Sequence, residues 1–222
     1  MTDAGDLPRI RAAAVCPQAP ALVPEVGQGV ADDLAGVRTA CQDAVSAVIA
    51  AGPERIVVLG AGDLDEAHDE SAGGSFRGFG PDIRAGGRDL VLPPSLTLGA
   101  WLLDIAGWTG RRTYTTTSVD ADGDAWLVMA DGSSRHRRLA PEWSDDEGRA
   151  FDATVAKALA GGSPDALAAL DLTAAADVGA SGFEGLVALG GITKGARVAA
   201  QLRFDGAPFD VGYWVADWQV SW

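Results

Sequence analysis

The chain has 222 residues, of which 47% are hydrophobic, and this is enough to build a buried core and favours a single globular domain over residues 1–222. With 17 basic and 31 acidic residues its net charge is −14, which argues against nucleic acid as a partner because backbone phosphates are bound by clusters of cations. No apolar run reaches the roughly 20 residues that span a bilayer, the first residues are acidic, and the two cysteines form no CxxC pair, so we expect a cytoplasmic protein without membrane contact.

The first third of the chain predicts a strand, a helix and a second strand. Ile10 to Cys16 is a short apolar run that stops at Pro17, as a buried strand does. From Val30 to Val48 apolar residues recur every three or four positions, which predicts an amphipathic helix. The β-branched run from Arg55 to Leu59 is typical of a central parallel strand, and a glycine-rich loop follows at Gly60.

The middle of the chain predicts another helix and several strands. Residues 90–92 lead into a helix for which we expect Ser95 to be the N-cap, with four residues facing inward: Leu98, Trp101, Leu102 and Ile105. Tyr114 to Val119 is a threonine-rich strand signal. Ala125 to Met129 and Arg135 to Leu139 flank the turn signal Asp131-Gly132, and together they predict a β-hairpin whose second strand is solvated.

The last third predicts helices followed by two strands. Helical patterns cover Glu147 to Leu159 and Pro164 to Leu170, and a third helix ends near Gly191. A strand is expected around Val198 to Phe204. The alternation from Val211 to Trp222 predicts a final strand that places four residues on one face: Trp214, Trp218, Val220 and Trp222. This aromatic face belongs to the core or to a subunit interface, and the second reading predicts a homodimer.

This order of elements predicts an α/β fold with a mostly parallel central sheet flanked by helices, plus a β-hairpin and a C-terminal strand. In open α/β sheets, ligands bind beyond the carboxyl ends of the strands, where loops from neighbouring units meet. The loops that span residues 16–25 and 60–80 are therefore the expected place for a site.

Several segments in these loops and beyond them resemble, in their order along the chain, proteins of the class III extradiol ring-cleavage dioxygenase family. They are Val15-Cys16-Pro17-Gln18-Ala19-Pro20-Ala21-Leu22-Val23-Pro24-Glu25, Gly74-Ser75-Phe76, Gly78-Phe79-Gly80, Met129-Ala130-Asp131-Gly132-Ser133, Phe151-Asp152 and Ala207-Pro208-Phe209-Asp210-Val211-Gly212-Tyr213. The first of these loops normally reads Pro-His-Pro-Pro-Leu-Leu in the family, and the resemblance runs almost end to end.

The resemblance implies a metal site that this sequence does not supply. Active members of the family are understood to hold a ferrous or zinc ion with two histidines and a third ligand, and to use a further histidine as acid or base. Carried over by position, the ligands fall on Gln18, on or near Gly62 and near Gly182. An amide is a weak ligand and glycine offers none. His68 and His136 are the only histidines in the chain, so a single copy cannot supply both the ligands and the catalytic group.

Two hypotheses follow from these substitutions. In the first, the chain is a non-catalytic relative without a metal cofactor that binds an unidentified small molecule or acts in assembly. Its pocket would include five residues: Cys16, Pro17, Asp63, His68 and Glu184. In the second, the chain is an active ring-cleavage dioxygenase of aromatic diols, in which Cys16 or acidic residues replace histidines around Fe²⁺ or Zn²⁺.

Overall fold

The structure is a computed structural model that describes residues 9–118, 122–135 and 145–222. Its main sheet contains six strands: β1 (Ala12–Cys16), β2 (Arg55–Leu59), β6 (Arg111–Thr115), β7 (Ala125–Met129), β8 (Arg197–Gly206) and β9 (Tyr213–Ser221). A smaller sheet contains three: β3 (Ala72–Ser75), β4 (Arg84–Gly86) and β5 (Asp89–Leu90). The α-helices are α1 (Ala35–Ala50), α2 (Pro94–Ile105), α3 (Asp145–Ala160), α4 (Pro164–Ala168), α5 (Leu172–Asp177) and α6 (Phe183–Ile192).

The strand order of the main sheet is β6-β2-β7-β1-β9-β8. The first four strands of this order run parallel to one another, whereas β9 pairs antiparallel with both β1 and β8. The predicted α/β fold with a mostly parallel sheet and a C-terminal strand is therefore confirmed. Because β1, β2 and β7 lie side by side and point the same way, their carboxyl ends meet at one edge.

The sheet separates two hydrophobic layers, as the alternation of side chains along each strand requires. Ala12, Ala14 and Cys16 face the layer that contains α1, α2 and the small sheet. Ala13 and Val15 face the opposite layer, which contains α3 to α6. Both sides of β1 are therefore buried, which explains why this strand reads as a continuous apolar run.

Helix α1 begins at Ala35 rather than at Val30, because residues 30–34 form turns instead of helix. The N-cap of α2 is Pro93, so the prediction for Ser95 is wrong. Ser95 lies inside the first turn, and its hydroxyl donates to the carbonyl of Ala61. Ile105 is 42% exposed at the end of α2, which contradicts its expected inward position, whereas Leu98 and Leu102 are buried.

The predicted β-hairpin after β7 is wrong. β7 has parallel partners on both of its edges, β1 and β2, and so has no free edge for the segment that follows it. Asp131 instead forms an isolated antiparallel bridge with Ser181. Residues 136–139 of that hairpin and Val119 of the strand predicted before it lie outside the described residues. The strand that contains Tyr114 begins at Arg111.

The helices predicted at 147–159, at 164–170 and before Gly191 are found as α3, α4 and α6. On β9 the residues Trp214, Trp218 and Val220 share the buried face that packs on these helices, whereas Trp222 is 50% exposed. Trp218 therefore belongs to the core, and the homodimer stays a prediction. No helix in the described ranges combines the length and the apolar character needed to cross a bilayer.

Candidate ligand-binding site

The loops after β1, β2 and β7 gather around the carboxyl end of β7. The backbone N–H of Ala130 donates to the carbonyl of Cys16 at 2.9 Å, and Asp131 and Ser181 exchange backbone hydrogen bonds at 2.9 and 3.1 Å. These bonds hold the turn before α6 directly against the end of β7. The edge at which the sequence places a site is therefore formed by backbone segments that are distant in the chain and are hydrogen-bonded to one another.

A cleft of about 240 Å³ opens at this edge, and we call it the carboxyl-edge cleft. Its lining residues are Leu59, Gly60, Ala61, Gly62, Thr116, Gly182, Glu184 and Gly185. Gly62 and Gly182, two of the three positions at which the resemblance predicts ligands, thus face the same space. A neighbouring hollow of about 250 Å³ shares Leu59, Thr116, Glu184 and Gly185 with it and extends the surface to Thr117 and Ser118.

Gly182 cannot carry a side chain on this backbone. Its φ is +72°, in the left-handed region, and a Cβ at this position would lie 2.2 Å from the carbonyl oxygen of Met129. Gly62 has a φ of +134°, and its Cβ would lie 2.6 Å from the Cβ of Pro93. Glycine is required at both positions because the backbone conformation and the close approach leave no room for a β-carbon.

Gln18, the third position at which the resemblance predicts a ligand, lies on the other side of β7 and does not line the carboxyl-edge cleft, so the three positions do not meet in one cavity. Its backbone N–H donates to Oδ1 of Asp131 at 3.0 Å. Its side-chain oxygen Oε1 is buried and has no hydrogen-bond partner within the described residues. A buried acceptor without a donor is uncommon in proteins.

Asp131 is the residue of this edge that the sequence analysis missed as a functional candidate. Burial raises the pKa of its carboxyl group to about 7, although the hydrogen bond from Gln18 favours the charged form. Burial also raises the pKa of Tyr213 to about 12, and the negative charge of Asp131 adds to that shift. Its position directly after a buried strand could have identified Asp131, but the following glycine made it look like a hairpin turn.

The other candidate residues are scattered. Pro17 is buried, and Asp63 is exposed beside the cleft-lining loop. Cys16 is buried against Cys41; a hydrogen bond with that thiol and burial raise the pKa of Cys16 well above its ordinary value, so it is a poor nucleophile. His68 exchanges backbone hydrogen bonds with Tyr114 and lines a different groove, with Arg55 and Arg112. Of these candidates, only Glu184 lines the carboxyl-edge cleft.

The metal ion of the dioxygenase family does not fit the residues present. Among the described residues, no three His, Cys, Asp or Glu side chains come close enough together to hold a metal ion. Gly62 and Gly182 offer no side-chain donor atom, and the backbone excludes any side chain at Gly182.

Comparison with models of known protein families finds no match, and comparison with curated proteins finds none either. The fold defines a class of α/β protein with an open, mostly parallel sheet and a cleft at its carboxyl edge.

Proposed function

We propose that the chain is a metal-independent relative of the class III extradiol dioxygenases that binds a small molecule in the carboxyl-edge cleft and does not cleave aromatic rings. The observation that carries the proposal is the pair of glycines in the cleft, one of which, Gly182, has no space for a β-carbon. A ring-cleaving site needs ligand side chains at these places. Here glycines stand at these places and supply no side-chain ligand, and the backbone leaves no room for one.

The chemistry of the cleft supports binding of a small polar ligand. Thr116 and Glu184 provide a hydroxyl and a carboxylate, while Leu59 and the glycines provide an apolar floor. This combination of an apolar surface with a few polar groups is typical of ligand pockets. Glu184 lies in the first turn of α6, where the partial positive charge of the helix end stabilises its negative charge.

Metal content and oxygen consumption test the absence of ring cleavage. Protein purified without added metals, then loaded anaerobically with Fe²⁺ and desalted, is expected to retain less than about a tenth of an equivalent of iron or zinc, because no set of ligands is available among the described residues. With catechol as an aromatic diol, it is expected to consume no oxygen. Stoichiometric tightly held iron together with oxygen uptake that a chelator stops would reject the proposal in favour of a substituted dioxygenase.

A cleft-filling variant tests the location of the site. Ala61→Leu places a larger side chain in the cleft, while Ala153→Leu makes the same change on the exposed face of α3. Small polar aromatic compounds that bind the unmodified protein in ligand-observed NMR are expected to lose binding to the first variant and to keep it with the second. Equal binding to both variants would place the ligand elsewhere.

A further inference from the structure

A second groove lies at the opposite edge of the main sheet, where the parallel strands begin. It has a volume of about 390 Å³ and is lined by four arginines: Arg9, Arg11, Arg55 and Arg111. The remaining lining residues are Glu54, Asp122, Gly123 and Asp124. We call this the arginine groove. Four of the 17 basic residues of a chain with a net charge of −14 are thus brought to one place.

The strands place these arginines close together. Arg55 and Arg111 are register partners at the start of β2 and β6, so their Cα atoms are about 5 Å apart. The backbone N–H of Arg11 donates to the carbonyl of Asp124, immediately before β7. Arg55 and Arg111 therefore come from adjacent strands, whose spacing is set by the sheet. Arg9 and Arg11 come from the segment that leads into β1, which β7 separates from β2.

The groove already holds an anion that belongs to the chain. The carboxylate of Asp124 accepts hydrogen bonds from the backbone N–H groups of Glu54 and Arg55 at 3.0 Å, and it pairs with Nε of Arg11 at 3.1 Å. Asp122 pairs with Nη1 of Arg55 at 3.1 Å. Asp124 is thus paired with Arg11 and Asp122 with Arg55, and these ion pairs hold the two arginines in place.

The other two arginines of the groove, Arg9 and Arg111, have no carboxylate partner among the described residues. Within that part of the chain the side chain of Arg111 makes no hydrogen bond or ion pair, and the guanidinium of Arg9 contacts the ring of Trp222, at 5.6 Å from its centroid. The carboxylate of Glu54 is likewise unpaired in the described part of the chain. With four arginines and three carboxylates, the lining residues still have a net positive charge. A planar guanidinium binds oxyanions through two parallel hydrogen bonds.

We propose that the arginine groove binds a compact oxyanion with two or more negative charges, with Arg9 and Arg111 as its main contacts. Arg9 and Arg111, which lack a carboxylate partner in the described part of the chain, together carry two positive charges. An oxyanion with two negative charges can pair with both guanidinium groups, whereas a monovalent anion can pair with only one of them. The site is independent of the carboxyl-edge cleft, because the two lie at opposite edges of the sheet and share no lining residue.

Isothermal titration at low salt tests this proposal, with pyrophosphate and citrate as probes and acetate as the monovalent control. Saturable binding of one of the two multivalent probes, weakened by added NaCl, is the expected result, and the probe that binds distinguishes phosphate from carboxylate recognition. The double variant Arg9→Gln/Arg111→Gln is expected to lose affinity by about tenfold or more. Arg77→Gln/Arg84→Gln removes the same charge from exposed arginines outside the groove and is expected to lose less than about twofold.

The single variant Arg111→Gln guards against a folding defect, because this side chain makes no hydrogen bond or ion pair within the described residues. It is expected to weaken binding while thermal unfolding stays unchanged. Absence of saturable binding by both multivalent probes would overturn the proposal. So would an equal loss in the two double variants, since that result would show only a general effect of net charge.

Discussion

The carboxylate of Asp131 accepts a hydrogen bond of 3.0 Å from the backbone N–H of Gln18, and so joins the loop after β7 to the loop after β1. The two residues are 113 positions apart in the chain. Burial also raises the pKa of the Asp131 carboxyl group to about 7, which lies in the physiological range. Its protonation state therefore changes under ordinary conditions, whereas an exposed aspartate would stay charged.

The stability of the protein is expected to depend on pH through Asp131. Its pKa is raised from 3.8 in the unfolded chain to about 7 in the folded one, so between these values the folded state binds the additional proton. The free energy of unfolding therefore falls as pH rises through this window, by at most about 1.4 kcal/mol per pH unit, and levels off above pH 7.

Urea unfolding of the unmodified protein and of Asp131→Asn at several pH values measures this contribution. Asparagine keeps an acceptor oxygen for Gln18 but cannot ionise, so the variant is expected to become the more stable of the two as pH rises from 5 to 8. A constant difference between the two proteins across that range would show that Asp131 does not titrate there.

Replacing Gly182 by alanine is expected to lower the free energy of unfolding by at least about 2 kcal/mol, because the variant combines a left-handed φ with a Cβ too close to Met129. Gly191 is the matched control on the same helix, since its Cβ would meet open space. Gly191→Ala is expected to stabilise by about 0.5–1 kcal/mol. If Gly182→Ala proved harmless in urea unfolding, the backbone at this position would not require glycine, and the argument that it excludes a side chain would be wrong.

Among the described residues other than glycine, Phe209 and Asp210 have a positive φ, at +60° and +63°. They lie in the turn between β8 and β9. Phe209 is 51% exposed, so burial of its ring does not offset the strain. Phe209→Gly is expected to leave the stability unchanged or to raise it by up to about 1 kcal/mol.

Phe79 provides the comparison for this change, because it is 48% exposed but does not have a positive φ. Phe79→Gly is expected to lower the stability by about 0.5–1 kcal/mol through backbone entropy alone. Phe209→Gly should therefore have a higher melting temperature than Phe79→Gly, and a larger loss for Phe209→Gly would mean that its ring has a structural role.

Trp218 and Trp222 are expected to differ sharply in their contribution to stability. Trp218 is fully buried and its indole N–H donates to the carbonyl of Leu159 at 2.9 Å, so Trp218→Ala should cost about 3–5 kcal/mol. Trp222 is half exposed and donates to the carbonyl of Ile10, so Trp222→Ala should cost about 1 kcal/mol.

Thermal unfolding of the two variants checks this order. The predicted homodimer is a separate matter, which sedimentation at micromolar concentration decides. A monomer in that experiment would reject the dimer. A dimer that Trp222→Ala dissociates would locate the interface at the end of β9.

The sequence predicted best those strands whose two faces both need apolar side chains. β1 and β2 are buried on both faces, so a continuous apolar run identifies them without knowledge of the partners. β7 shows the limit of this reasoning. Its run was recognised, but Asp131-Gly132 is a turn signal that is equally compatible with a hairpin and with a strand that ends between two parallel neighbours.

The candidate site shows the same difference between what the sequence predicts and what depends on the tertiary structure. The resemblance predicts that Gln18, Gly62 and Gly182 stand in place of ligands, and this stays a prediction. The sequence could not indicate that Gly62 and Gly182 line one cleft while Gln18 faces Asp131, since this depends on the order of strands in the sheet. It could not predict the arginine groove either, because Arg9, Arg55 and Arg111 are far apart in the chain and are brought to one groove only by the order of strands in the sheet.

By itself, then, the amino-acid sequence determined the α/β class, the buried strands, the negative charge and the scarcity of histidine, all of which follow from composition and short-range periodicity. The tertiary structure alone decided the partners of β7, the absence of space at Gly182 and the raised pKa of Asp131. The physical reason is that close packing and burial are set by contacts between residues distant in the chain, and short-range patterns carry no record of which distant residues will meet.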